Sequence, residues 1–420
     1  MGSQVSLEGD TADGSGDGEP RPAQTTRSHL LCLSRAHNKF CLQLFQEYCK
    51  DGKRTGNFVL APLGISIGLG LLHLGAKGTT QEEIAKALHL HEVAADQLLP
   101  AFAAIHYDTI KSHYPKGCVF GIALGLFAQS PIYLTPHYED MCLHYQITRL
   151  KQADFRNRPD KARVEINQWA EERTNGRIKD VIPMGIIDRD TKILGLSGLY
   201  MKSLWLHPFD PRKTTDQPFQ LPMKETLSVR MMCQQRLLRY GQHVKLDCEA
   251  VELPFANTYT TVLLLLPKKE DGIQKLETKL DRKSLEAIYD SLADEYVEVH
   301  FPRFRYELGL TLGDKLQRLG MKTMFTMGKS DFSNINSSRD LYVSRIFHHV
   351  YMEFDEGVPN GSASGSGPKN SPSGTEEGNS SQEDDKKTFR CDHPFMFVIR
   401  DDRTGAISFV GRVVRPLLAS

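Results

Sequence analysis

Polar and apolar positions alternate with two different periods along this chain. Over residues 35–49 apolar side chains recur at helical spacing, at Phe40, Leu44, Phe45 and Tyr48, and predict an amphipathic helix. Residues 57–90 begin as a strand at Phe58-Val59-Leu60, turn at Pro62 and continue as an apolar helix to His73. Gly75-Ala76-Lys77-Gly78-Thr79-Thr80 interrupts it, and Thr80 with Glu83 has the form of a reciprocal cap for the next helix. Residues 118–129 read as a strand, and 161–182 contain a helix ending at Gly176. Past residue 190 the pattern turns toward β, with strands expected at 193–199, 251–254, 259–266 and 297–304, and helices at 276–292 and 310–319.

Near the end, two apolar runs flank Asp401-Asp402-Arg403-Thr404-Gly405, the pattern of a buried hairpin. Helices dominate the first half and strands the second, with no linker between them. This predicts one α+β domain over residues 29–420. Residues 1–28, rich in Gly, Ser, Asp, Glu and Pro, read as a disordered tail. Residues 357–388 are nearly free of large apolar side chains and turn acidic from Glu376 to Asp385. By composition this segment cannot fold alone, so it reads as an extended flexible loop between two strands. Such a loop is either functional or a tolerated insertion.

Composition adds mostly exclusions. Lys+Arg and Asp+Glu are equal at 52 each, so bulk attraction to nucleic acid or membranes is not expected. No apolar run is long enough to span a bilayer. No apolar leader precedes the tail, which predicts a cytoplasmic protein, or an extracellular one if export is leaderless or the N-terminus incomplete. Met1-Gly2-Ser3-Gln4-Val5-Ser6 matches the myristoylation pattern, but without a basic cluster one acyl chain would hold only marginally. The eight cysteines show no CxxC pair, so reduced thiols are expected. His89/His91 and His348-His349 have no ligand set in the sequence, and neither a metal nor any other cofactor is expected. Arg149, Lys151, Arg156, Arg158, Lys161 and Arg163 read either as a glycosaminoglycan or acidic-partner patch or as a solvated helix face.

Several separated motifs resemble one family. Residues 57–66 followed by Leu74-Gly75-Ala76-Lys77-Gly78-Thr79-Thr80, then Ile166-Asn167-Gln168-Trp169 with Thr174-Asn175-Gly176-Arg177, are similar to serpin motifs. So are Leu199-Tyr200-Met201-Lys202 with Trp205, Glu252-Leu253-Pro254-Phe255, Phe301-Pro302-Arg303-Phe304, and residues 393–416. The resemblance implies an α+β serpin fold of three β-sheets and about nine helices with an exposed reactive loop. It also implies a metastable protease inhibitor rather than an enzyme. A protease cleaves the loop, forms an acyl-enzyme and is distorted when the loop inserts into the central sheet.

The same resemblance assigns candidate site residues. Glu356, Gly357, Val358 and Pro359 form the hinge, and Lys369, Lys386 and Lys387 are candidate bait residues. Asn57, Ser197 and His348 form the shutter region, and Trp205 is the breach tryptophan. The family's inhibitory hinge reads Glu, Gly, Thr and then mostly Ala, whereas Pro359 here lacks the N–H that a sheet requires. Ala61 and Gly64 stand where the family has serines, and Ser197 where it has Asn. The expectation is therefore a non-inhibitory or substrate-like serpin, a monomer acting as a binding or chaperone-type protein. The alternative is an active inhibitor of serine or cysteine proteases.

Overall fold

The computed structural model describes residues 27–50, 56–94, 97–111, 119–144, 150–202, 204–256, 259–357 and 387–417. The central sheet has five strands in the order β10 (Phe304–Thr311), β11 (Val343–Phe354), β4 (Ile193–Lys202), β2 (Val119–Gln129) and β3 (Leu150–Ala153). Its middle is covered on both faces. β4 is accordingly a continuous apolar run, buried from Ile193 to Met201.

The other strands form one hydrogen-bonded path that makes two further sheets by sharing the 18-residue β6 (Thr226–His243). β6 pairs with β5 (Thr215–Gln220) over Thr226–Met231 and with β9 (Ala293–Pro302) over Met231–Tyr240, with β12 (Lys387–Arg390) beyond β9. Its far end pairs with β7 (Cys248–Pro254). From there the path runs through β8 (Thr260–Pro267), β13 (Phe395–Asp401) and β14 (Ile407–Val413) to β1 (Phe58–Leu60). The C-terminal hairpin of β13 and β14 thus lies inside a sheet, and the Asp401 side chain closes its turn by accepting from the N–H groups of Arg403 and Thr404.

Nine α-helices surround the sheets among the described residues: α1 (Arg27–Cys49), α2 (Pro62–Gly75), α3 (Gly78–Ala87), α4 (Leu98–Lys111), α5 (Pro136–His144), α6 (Pro159–Arg173), α7 (Ile273–Lys279), α8 (Arg282–Ser291) and α9 (Gly313–Arg318). The apolar face expected over 35–49 belongs to α1, which starts at Arg27, two residues inside the segment expected to be a tail. Residues 1–26 lie outside the described part of the chain.

The structure corrects several local expectations. Thr80 and Glu83 do not cap a helix reciprocally, because α3 already begins at Gly78 without a side-chain cap. Thr80 Oγ1 instead accepts from the N–H of Asp331, and Glu83 accepts from the N–H groups of Lys322 and Thr323. The helix expected over 276–292 is two helices. Asp281 stops the first and caps the second in a reciprocal box with Ser284, their bonds 2.7 and 2.9 Å long. Leu310 and Thr311 end the edge strand β10, with Leu310 paired opposite His348, and only then does α9 begin. Residues 387–388 are not part of a free loop, since Lys387 and Thr388 pair with Val297 and Glu298.

A buried histidine ties three of these elements together. His37 of α1 accepts from Ser66 Oγ of α2 at its Nδ1 and donates from Nε2 to the Ile407 carbonyl of β14, both at 2.8 Å. Burial lowers its pKa to about 4, against the opposing pull of the Ile407 bond. The unfolded imidazole protonates near pH 6.5, so the stability contributed by neutral His37 is complete above that pH and drains as pH falls toward 4. Between pH 6.5 and 5 this loss is about 2 kcal/mol. His37→Gln should lower stability at pH 7 and flatten that pH dependence, measured as urea midpoints at pH 7 and pH 5. An unchanged slope would remove His37 as its source.

Candidate functional site

β11 leads out of the central sheet into the loop, and its last residues are held at many points. Trp205 stacks between Phe255 and Phe354, with ring centroids 5.0 and 5.8 Å away, and meets Phe209 and Phe301 edge-on. Its Nε1 donates to the Asp355 carbonyl at 2.7 Å. Lys202 at the end of β4 bridges Asp355 at 2.7 Å and Glu353 at 3.4 Å. Burial works against the Lys202 ammonium, but the two carboxylates outweigh it and hold its pKa above the ordinary lysine range.

Glu356 is buried and fully engaged. Its carboxylate accepts from Thr214 Oγ1 at 2.9 Å and lies 3.6 Å from Arg303, while its carbonyl accepts from the N–H of Phe209 at 3.0 Å. Gly357 follows with φ +71°, and a Cβ there would stand 2.7 Å from Trp205 Cδ1 and 3.0 Å from its backbone nitrogen. Only glycine fits both the dihedral and the gap. Of the hinge residues named from the resemblance, the structure brings Glu356 and Gly357 onto Trp205 and its surroundings. Val358 and Pro359 lie outside the described residues, as do Lys369 and Lys386.

Below this point β11 and β4 are paired in parallel from Val343 and Ile193 to Glu353 and Lys202. A strand could enter here only by parting that ladder. His348 sits in the ladder opposite Ser197. Its Nε2 accepts from the N–H of Ala61 at 3.1 Å, so the ring proton is on Nδ1, which donates to the Ser197 carbonyl at 3.0 Å. Burial drives its pKa down to about 3, against the Ser197 bond and with a smaller downward push from His349. His348 therefore joins β11, β4 and the start of α2 as a neutral group. Gly64 explains the exchanged small residues nearby: a Cβ at this position would stand 2.6 Å from Ser197 Oγ. The Ser197 hydroxyl fills the space that a larger residue 64 would need.

The other candidates are elsewhere. Asn57 does not join Ser197 and His348. Its Oδ1 accepts from the N–H groups of Val414 and Arg415, and its Nδ2 donates to the Arg415 carbonyl. Lys387 is the exposed first residue of β12. In the basic segment Arg163 pairs with Asp160, Lys161 with Glu165, and Lys151 lies over the Trp169 ring, while Arg149 is outside the described residues. The seven described cysteines form no disulfide. Among the described residues no helix is long and apolar enough to cross a membrane.

Sequence reasoning missed Thr214, Phe209 and Arg303 as partners of Glu356. Arg303 and Phe209 lie in or beside the serpin-like motifs, but only the fold shows that they converge on residue 356.

Comparison with known proteins agrees with this architecture. The profile of the family described as Serpin (serine protease inhibitor) matches residues 35–416. Mouse leukocyte elastase inhibitor A is 32% identical over 394 residues, covering 91% of this chain and 99% of that protein. Human Serpin B3 is 31% identical over 401 residues, with the same two coverages. Uncleaved ovalbumin superposes with a TM-score of 0.80 at 25% identity, over 91% of this chain and all of that one. A tumour suppressing serpin gives 0.81 at 26% identity, over 92% of this chain and all of that one. With its three-sheet architecture and a family match that runs through both the central sheet and the C-terminal hairpin, the chain belongs to the serpin family.

Proposed function

We propose that the protein inhibits a serine-type endopeptidase by offering the segment after Gly357 as bait and inserting it between β4 and β11. The observation that carries this reading is the closed parallel β4–β11 ladder directly below Glu356 and Gly357. β4 and β11 are direct neighbours, as in a sheet that has not yet taken a strand between them. Relatives named for elastase inhibition match over nearly their whole length and support the same reading. In this role the protein is not an enzyme. Lys369 and Lys386 are the candidate bait residues, and Lys387 is a poorer one because it is already paired in β12.

One observation favours a second reading, a substrate-like or chaperone-type protein. Pro359 lies two residues past Gly357, within the first part of the segment to insert. A missing ladder bond costs about 1 kcal/mol, or up to about 3 if a carbonyl is left unpartnered. A full inserted strand gains several bonds of about 1 kcal/mol each on both edges. The proline therefore slows insertion more than it opposes the final state. Slowness matters, because trapping requires insertion to outrun deacylation.

Incubation with elastase-, trypsin- and chymotrypsin-type proteases should give an SDS-resistant adduct with at least one of them. Cleaved protein with fully active protease in every case would leave the substrate-like reading. Nicking within 364–386 should raise the melting temperature by at least several degrees, since several new bonds at about 1 kcal/mol each shift a domain of this size by about 1 °C per kcal/mol. Pro359→Ala should raise the fraction of encounters that end in the adduct, read as a lower inhibitor-to-protease ratio. Glu356→Ala removes the contacts to Thr214 and Arg303, and should cost the uncleaved protein about 1–3 kcal/mol and speed spontaneous insertion, seen as loss of activity on storage.

A further inference from the structure

Three ligating side chains of different chemistry meet on one face of the sheet that carries β12. Cys233 of β6 lies directly opposite His300 of β9, and Glu298 is two residues before His300 on the same face. Cys233 Sγ is 3.9 Å from both Glu298 Oε1 and His300 Nε2, and those two atoms are 2.8 Å apart. All three donor atoms fall within the reach of one ion. None of the three belongs to the β4–β11 site.

The geometry points to a zinc-class divalent metal site formed by Cys233, Glu298 and His300, with the fourth position open to water or a partner's donor. Zinc bonds of about 2.3 Å to sulfur and about 2.0 Å to nitrogen and oxygen, at tetrahedral angles, separate S from N by about 3.5 Å and N from O by about 3.3 Å. The observed triangle differs from that by roughly half an ångström a side, within the reach of side-chain rotation about a fixed pair of strands. The ligand set is matched to the ion: thiolate and imidazole select zinc and its neighbours over magnesium or calcium. Charge also balances. One thiolate, one carboxylate and a neutral imidazole around a divalent cation sum to zero, and binding releases the Cys233 thiol proton to solvent.

The surroundings of His300 Nε2 make conflicting demands that an ion would resolve. The nitrogen faces the Glu298 carboxylate at 2.8 Å, which wants a donor, and Arg390 Nη2 at 3.1 Å, which wants an acceptor. One ring nitrogen cannot serve both at once. An ion would take the lone pairs of Nε2 and the carboxylate together, with Arg390 Nη2 turning away while its Nη1 keeps the bond to Gln217 Oε1 at 2.8 Å. The site would fasten β6 to β9 beside β12, the strand onto which the loop returns. A second cluster, His89, His91 and Glu92, is more exposed, and its Glu92 is already paired with Lys39 at 2.8 Å. It serves as an internal control.

The test is titration of the reduced full-length protein with Co²⁺, followed by displacement with Zn²⁺. One equivalent of Co²⁺ should produce a thiolate-to-cobalt absorption band that Zn²⁺ removes. Cys233→Ser should lose the band. Glu298→Gln, a half-buried isosteric change whose urea midpoint is checked against the wild type, should weaken Zn²⁺ affinity by about tenfold or more in chelator competition. His91→Gln should change neither readout. The proposal is overturned if the wild type gives no band, if the band survives Cys233→Ser, or if Glu298→Gln binds Zn²⁺ as tightly as the wild type. All three readouts are independent of protease inhibition, so the site stands or fails separately from that function.

Discussion

The parallel ladder between β4 and β11 is the constraint on which the rest of this structure depends. Two central strands that run side by side in parallel have no connection forcing them to stay neighbours. They are held by their backbone bonds and by what lies beneath them. His348 is the main strut, because it ties both strands to the N–H that begins α2. The imidazole does this as a neutral group because it is buried, and burial is what lowers its pKa. Parting the strands would break the bond from the ring to the Ser197 carbonyl.

The upper end of the ladder is controlled by a different kind of force. Trp205 and the phenylalanines around it give a rigid aromatic wall, and Lys202, Thr214, Arg303 and the Phe209 N–H fix the chain from Asp355 to Glu356 against it. The departing chain is therefore fastened up to Gly357 and taken up again at Lys387. Whatever the loop does, it starts from two fixed ends on different sheets. In the proposed insertion Glu356 would have to be released first, since its carbonyl and its carboxylate hold the end of the departing strand.

Much of the fold could be read from the sequence because its buried elements announce themselves. β4, β8, β13 and β14 are apolar runs with little ambiguity, and α1 shows a helical period. β6 was not legible. It carries Arg, Gln and Cys on both of its faces with no clean alternation, so its 18 residues look like a polar segment with scattered apolar ones. The late start of α9 at Gly313 and the break at Asp281 escape for another reason, since local periodicity does not say where a strand or a cap interrupts a continuing run. At the site, Trp205, Glu356 and Gly357 were named from motifs, but their partners come from Thr214, Phe209 and Arg303, which only tertiary pairing brings near.

The exchange of small residues at 64 and 197 shows why a motif position cannot be judged alone. Counting polar residues along α2 suggests a thinner network under the ladder, because glycine stands at position 64. In space the network has moved rather than thinned. Ser197 supplies a hydroxyl from β4 into the gap that Gly64 leaves, 3.3 Å from His348 Nδ1, and its own carbonyl accepts from the same nitrogen. A Cβ at 64 would stand 2.6 Å from Ser197 Oγ, so a larger residue there requires the Ser197 side chain to turn away from its present place. The packing of α2 against β4 thus joins two residues 133 positions apart in sequence (197 − 64). Neither alone carries the information that the other makes physical.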